Sequence, residues 1–174
     1  GDVYKRQIMD ATRYFDSEAY FSKICSSNRL AQSEEFKFCT CSGIRAIQGM
    51  LDNFRTAKAF FCLDDTNDGT LFQGRSGGWF KKRTFTVFIM HSFDFKSMES
   101  YSKALSLCRR LFNQVVSRMI LDADDYRNEL VYLHTDNVLC RELGRYSLNG
   151  CTGLYFMIDV SEPVDLTFDK SLWT

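Results

Sequence analysis

The sequence predicts an α+β domain: a mainly antiparallel sheet with helices packed on one face and a long protruding hairpin loop. Three features lead there. Residues Met98 to Leu121 carry apolar side chains at alternating steps of three and four, the period of a helix with one buried face. On either side lie short runs rich in aromatic and β-branched residues, separated by turn chemistry, so successive strands are joined directly and pair antiparallel. Hydrophobic residues make up 45% of the 174, enough for one core and one domain.

Residues 1–8 read as a non-native leader, and the domain runs from Met9 to Val164. From Asp10 to Ser26, Ala11, Tyr14, Phe15, Ala19, Phe21 and Ile24 fall near helical spacing, and Ser26-Ser27-Asn28 closes that helix. Phe36 to Cys41 alternates apolar and polar, as a short strand does. Thr40 or Ser42 caps a second helix, with Ile44, Ile47, Leu51 and Phe54 on one face. Ala59 to Leu63 is an apolar run that reads as a buried strand. Residues 64–79 hold two stretches of turn chemistry, Asp64 to Gly69 and Gly74 to Gly78, with a brief pairing segment Thr70 to Gln73 between them. Trp79 to Phe93 is the longest strand. Ser97 caps the long helix, and Asp122-Ala123-Asp124-Asp125 ends it. Leu130 to His134, Val138 to Tyr146 and Gly153 to Val160 are three further strands, the last two joined by a tight turn at Asn149-Gly150. Pro163 closes the final strand, and residues 165–174 form a C-terminal arm.

Charge and cysteine usage narrow the function classes. Basic and acidic residues balance at 22 each, so the chain lacks the sustained positive field of a non-specific DNA binder, and nucleic acid is not an expected partner. No apolar run approaches the roughly 18 residues of a membrane span. Seven cysteines, odd in number and set mostly in apolar surroundings, point to reduced thiols and a cytoplasmic location.

Chemical motifs are sparse. Gly69 to Ser76 has the spacing of a phosphate loop with Arg75 in place of lysine, but a strand follows where a helix must begin. Asp64, Asp68 and Gly69 match three positions of a calcium loop, yet Arg75 stands where a bidentate glutamate belongs. Cys39-Thr40-Cys41 lacks a second ligand pair at zinc spacing; the plainer reading puts one thiol on each face of an edge strand. His91 and His134 lie on strands, and a His134–Cys140 dyad has no nucleophile motif around it. Asp122, Asp124 and Asp125 suit the end of a helix. The basic cluster Lys81-Lys82-Arg83, flanked by Trp79, Phe80 and Phe85, reads as a solvated strand start or the rim of a protein contact. No catalytic, cofactor-binding or metal-ligating residue is assigned, and the chain is read as a binder of proteins.

The order of elements from Ala59 to Val164 resembles that of the small proteins that terminate phage tails or join them to the capsid. The wording of Phe61 to Thr66, Tyr132 to Asn137 and Asn149 to Val160 is also similar to proteins of Bacteroidales prophages. The resemblance implies a non-enzymatic subunit without cofactor. It would assemble with copies of itself as a ring, commonly a hexamer, against tail-tube or connector proteins, first in the host cytoplasm and then in the virion. The alternatives are a small intracellular enzyme with a site built across strands and a monomeric phage adaptor that binds a host protein. Within the assembly reading, residues 64–79 are the contact element. They join two strands with about sixteen residues where hairpins use two to five. Asp64, Asp65, Asp68 and Arg75 form a charged rim, Leu71 and Phe72 an apolar tip, and Trp79 the flank.

Overall fold

The computed structural model describes residues 15–43, 57–145 and 150–174. The expected leader, the first residues of the Asp10 helix, the Ile44–Phe54 helix and Asn149 lie outside the described residues. Helix α1 is Ser17–Ser27 and α2 is Arg29–Ser33. Strands β1 (Phe36–Cys41), β2 (Ala59–Asp64), β3 (Asp68–Gln73) and β4 (Trp79–Ser92) precede α3 (Met98–Arg127), which leads to β5 (Tyr132–Leu143) and β6 (Cys151–Pro163). One six-stranded sheet results, in the order β1-β2-β4-β6-β5, with β3 paired to β4. Among the described strands only β1 and β2 run parallel. The α+β class with a mostly antiparallel sheet is therefore the architecture of the chain.

Helix α1 begins later than its periodicity suggests. Asp16 is the N-cap, its carboxylate accepting the Ala19 N–H at 3.0 Å, so Phe15 stands outside the helix. Asn28 ends α1 and at once caps the short α2 through the Ala31 N–H (2.8 Å), a helix the sequence pattern did not single out. Helix α3 runs through the Asp122 cluster to Arg127. Asp122 cannot act as a terminator there, because its carboxylate is buried and accepts the Tyr20 O–H (3.0 Å) and the Arg118 Nε–H (3.0 Å). Burial, with Asp122 beside it, raises the Tyr20 phenol above its ordinary value of 10.0. Likewise, the two strands expected over 130–146 are one, β5, carrying a register shift between His134 and Leu139.

Alternation divides the sheet into two faces. Phe61, Leu63, Phe85, Val87, Ile89, Phe156, Ile158 and Val160 face α1 and α3, where Phe21, Cys108, Leu111, Val115 and Met119 complete the main core. Phe60, Cys62, Phe88 and Met90 form a smaller buried cluster with Cys41 and Cys151 on the opposite face. The close approach of β4 and β6 at the centre requires Gly153, whose φ is +152° and whose Cβ would lie 2.0 Å from the Ile89 carbonyl oxygen.

None of the seven cysteines forms a disulfide, and six of them are at least partly buried. Burial pushes the Cys25 thiol up to about 11 and the Cys108 thiol up to about 12, so both stay protonated and unreactive at neutral pH. Thiol titration of denatured, unreduced protein is expected to find all seven, while in the native protein the exposed Cys140 reacts first. A reproducible loss of one pair from the denatured count would contradict the all-reduced state.

Candidate interaction surface

Residues 64–79 form a paired hairpin instead of a sixteen-residue loop. β3 bonds to β4 along its whole length, from Asp68 opposite Thr84 to Gln73 opposite Trp79. The turn between them closes with Gly74 N–H donating to the Gly78 carbonyl (2.7 Å) and Gly77 N–H to the Gly74 carbonyl (2.9 Å). The brief pairing expected at Thr70–Gln73 is present and extends back to Asp68. Every residue of β3 is exposed.

This pairing redistributes the expected contact residues. Asp64 is buried, and its Oδ1 accepts from the Gly43 N–H (3.0 Å), the Thr66 N–H (3.0 Å) and the Thr66 hydroxyl (2.7 Å). Asp65 accepts the Ser42 hydroxyl on both oxygens, at 2.7 and 2.9 Å. Both acids tie the β2–β3 turn to the end of β1; Asp64 is buried and so does not stand on an outer rim, contrary to expectation, whereas Asp65 is exposed. Asp68 and Arg75 are exposed. Leu71 and Phe72 cannot form one tip, because neighbouring strand residues point to opposite faces. Leu71 lies opposite Lys81 on the face of Trp79, whereas Phe72 lies opposite Phe80 on the other. The exposures are 52% for Leu71, 42% for Trp79 and 37% for Phe72.

Phe72 begins an aromatic row across the sheet. Its ring stacks on Phe80 (5.6 Å between centroids, 17° between planes), and Phe80 meets Tyr132 edge-on at 6.2 Å. Lys82, two residues along β4 on the same face, has only a long ion pair to Asp159 (3.9 Å). The C-terminal arm starts at the same end of the sheet, where the Val164 N–H donates to the Trp79 carbonyl at 3.0 Å. Beyond it Leu166, Phe168, Leu172 and Trp173 are exposed, up to 78% for Leu172. Phe168 and Trp173 stack on each other at 6.1 Å. Asp165 and Asp169 set local turns by accepting the Thr167 and Ser171 N–H groups (2.9 Å each). The Thr167 and Ser171 side chains, with those amides, hold the two carboxyls below their usual range. The sequence marks the arm but not its exposure, which depends on what lies beside it in space.

The other candidate groups fall elsewhere. His134 pairs through Nε2 with the Ser161 hydroxyl (2.7 Å), and Ser161 is buried. Register places His134 opposite Asp159 and Cys140 opposite Phe156, so the two lie on opposite faces and form no dyad. Cys39 and Cys41 share one face and are not split between two. Cys39 lies directly across from Cys62, whose thiol hydrogen-bonds to both and is pushed up by those bonds, that to Cys39 first. Even so, among the described residues no group of three or more His, Cys, Asp or Glu side chains could hold a metal ion. The Gly69–Ser76 segment lies in and beside a strand, not in a phosphate loop. His91 donates from Nδ1 to the Ser92 carbonyl (2.7 Å), which leaves its buried Nε2 without a hydrogen-bond partner, 3.8 Å from Glu34, in an open cleft of about 810 Å³. No helix among the described residues is long and apolar enough to cross a membrane.

No protein-family model matches the chain, and no curated protein is similar to it.

Proposed function

We propose that this chain is a non-catalytic assembly subunit that joins copies of itself, in the manner of the tail-terminating and head-to-tail joining proteins of phages. One observation carries the proposal. Of the thirteen large hydrophobic side chains exposed among the described residues, seven belong to the β3–β4 hairpin and the C-terminal arm, which meet at Trp79. Isolated exposed apolar residues are ordinary on a protein surface, but a gathering at one end of a sheet marks a contact site. Aromatics predominate in it, and they are the residues that dominate contact energies. Among the described residues β3 bonds to β4 on one side only, and an uncovered edge is open to further pairing. A ring on a tail tube would use such elements to join neighbours through unlike surfaces that close on themselves.

Sedimentation velocity over a range of concentrations tests the reading. The expected result is one discrete assembly in equilibrium with the 20.2 kDa chain, and a single-chain species throughout would contradict it. The His91 cleft favours a second reading, a small-molecule site, since its volume of about 810 Å³ is lined by several polar side chains, among them Glu34, His91, Ser100 and Arg110. That reading gains ground if the protein stays single at every concentration.

A further inference from the structure

We propose that the C-terminal arm of one copy docks on the Phe72–Phe80–Tyr132 row of a second copy. This rests on the assembly reading and names its contact. The arm and the row are complementary in both apolar and charged character. Leu166, Phe168, Leu172 and Trp173 are exposed on the arm, while Phe72 is exposed and Phe80 and Tyr132 are half-buried on the row. The arm's carboxylates, Asp165 and Asp169, are held in their ionised form by local turns. Near the row stand Arg75, in the hairpin turn, and Lys82, two residues from Phe80 on the same face. Among the described residues Arg75 has no ion pair, and Lys82 has only the 3.9 Å contact to Asp159. Acidic arm and basic row attract each other and set a register that the apolar contacts then hold.

The occupant is a second copy because both halves of the contact are on this chain and the single copy leaves them apart. Residues 165–174 are exposed throughout, although Pro163 lies directly opposite Phe80 at the arm's root. Ten residues reach about 33 Å when extended, enough to cross to a neighbour. The row lies on the sheet face opposite α3, since Phe80 shares the alternation of Phe88 and Met90 and not that of Val87 and Ile89. An incoming arm therefore meets no described helix. Exchange of such a segment between identical chains links subunits with little new surface to evolve.

The test uses the full chain in three forms: wild type, the double variant Phe168→Asp with Trp173→Asp, and Phe72→Asp. Each is checked for native circular dichroism, and mass is measured by light scattering at matched concentrations. Both variants are expected to associate about thirty-fold more weakly than wild type or worse, the loss typical of an aromatic anchor. Mixed in equal amounts, they are expected to form pairs and nothing larger. In a mixed pair the intact arm of the Phe72→Asp chain meets the intact row of the other, and the reverse contact is lost. If wild type assembles and the arm variant assembles equally well, the docking is wrong while the assembly reading stands. Assembly unaffected by Phe72→Asp, or a mixture that forms no pairs, places the arm's seat elsewhere and also overturns the inference. A wild type that stays single removes both.

Discussion

Replacing Gly153 with alanine is expected to cost roughly 2–6 kcal/mol, from about 1–3 for a strained backbone and about 1–3 for forced displacement of packed atoms. The new Cβ would sit 2.0 Å from the Ile89 carbonyl oxygen and 2.9 Å from Met90 Cα. Both are backbone atoms at the centre of the β4–β6 pair, whose register is continuous from Phe80 opposite Pro163 to Ser92 opposite Cys151. No side-chain rotation can relieve such a contact; the two strands must part. Against a total stability of about 5–15 kcal/mol, the variant is at the margin of folding. Gly43 provides the control, because its φ is +81° but a Cβ there meets nothing within 4 Å. Gly43→Ala should show the cost of backbone strain alone. Urea denaturation of both variants makes the comparison, and equal midpoints would contradict the crowding at Gly153.

A second large loss is expected from Glu162→Ala. Glu162 is fully buried on the core face of β6, with Oε1 at 2.7 Å from Arg83 Nε and Oε2 accepting the Phe15 N–H at 2.5 Å. The Nε–Oε1 approach is a charge contact off the N–H axis, not an aligned hydrogen bond. Arg83 then donates from Nη2 to the Phe15 carbonyl (2.8 Å) and places its guanidinium 4.8 Å from the Phe85 ring centre. Together these groups fix the residue before the α1 cap, where the Phe15 ring meets Tyr20, Phe85 and Tyr126. Removing the carboxylate strands a mostly buried guanidinium, a loss of about 3–5 kcal/mol. Because the pair is costly to desolvate, Arg83→Met combined with Glu162→Leu should cost less than Glu162→Ala alone. Denaturant midpoints of the single and double variants decide this. A single variant within about 0.5 kcal/mol of wild type, the range of an ordinary surface change, would mean that the clamp contributes little.

How far each element was legible depends on where its cause lies. The Phe36–Cys41 alternation and the α3 stripe report local periods, and both elements appear where those periods place them. The end of α3 was misread because Asp122 is satisfied by Tyr20, 102 residues away, a partner no local pattern reveals. β3 is longer than the brief Thr70–Gln73 segment expected, for a similar reason: Asp68 and Gly69 are poor strand formers by themselves, and their pairing with Thr84 and Arg83 supplies the order. Of the expected contact residues, Asp68, Leu71, Phe72, Arg75 and Trp79 are in the exposed hairpin, while Asp64 and Asp65 are held in the turn behind it. Acidic residues next to a glycine suggest a solvated rim and an internal turn equally well, and only the Gly43, Thr66 and Ser42 donors tell them apart. The arm's four exposed hydrophobics were visible as residues; their lack of a seat among the described residues was not.

Of the chain's two tryptophans, Trp173 stands on the arm assigned to docking and Trp79 at the arm's root on the other sheet face, so intrinsic fluorescence reads the arm without any label. Raising the protein concentration through the association range is expected to shift part of the emission to shorter wavelength and to protect it from acrylamide, as the Trp173 indole leaves water. Emission that stays water-exposed and equally quenchable at every concentration would contradict the claim that this end of the sheet is covered by another copy.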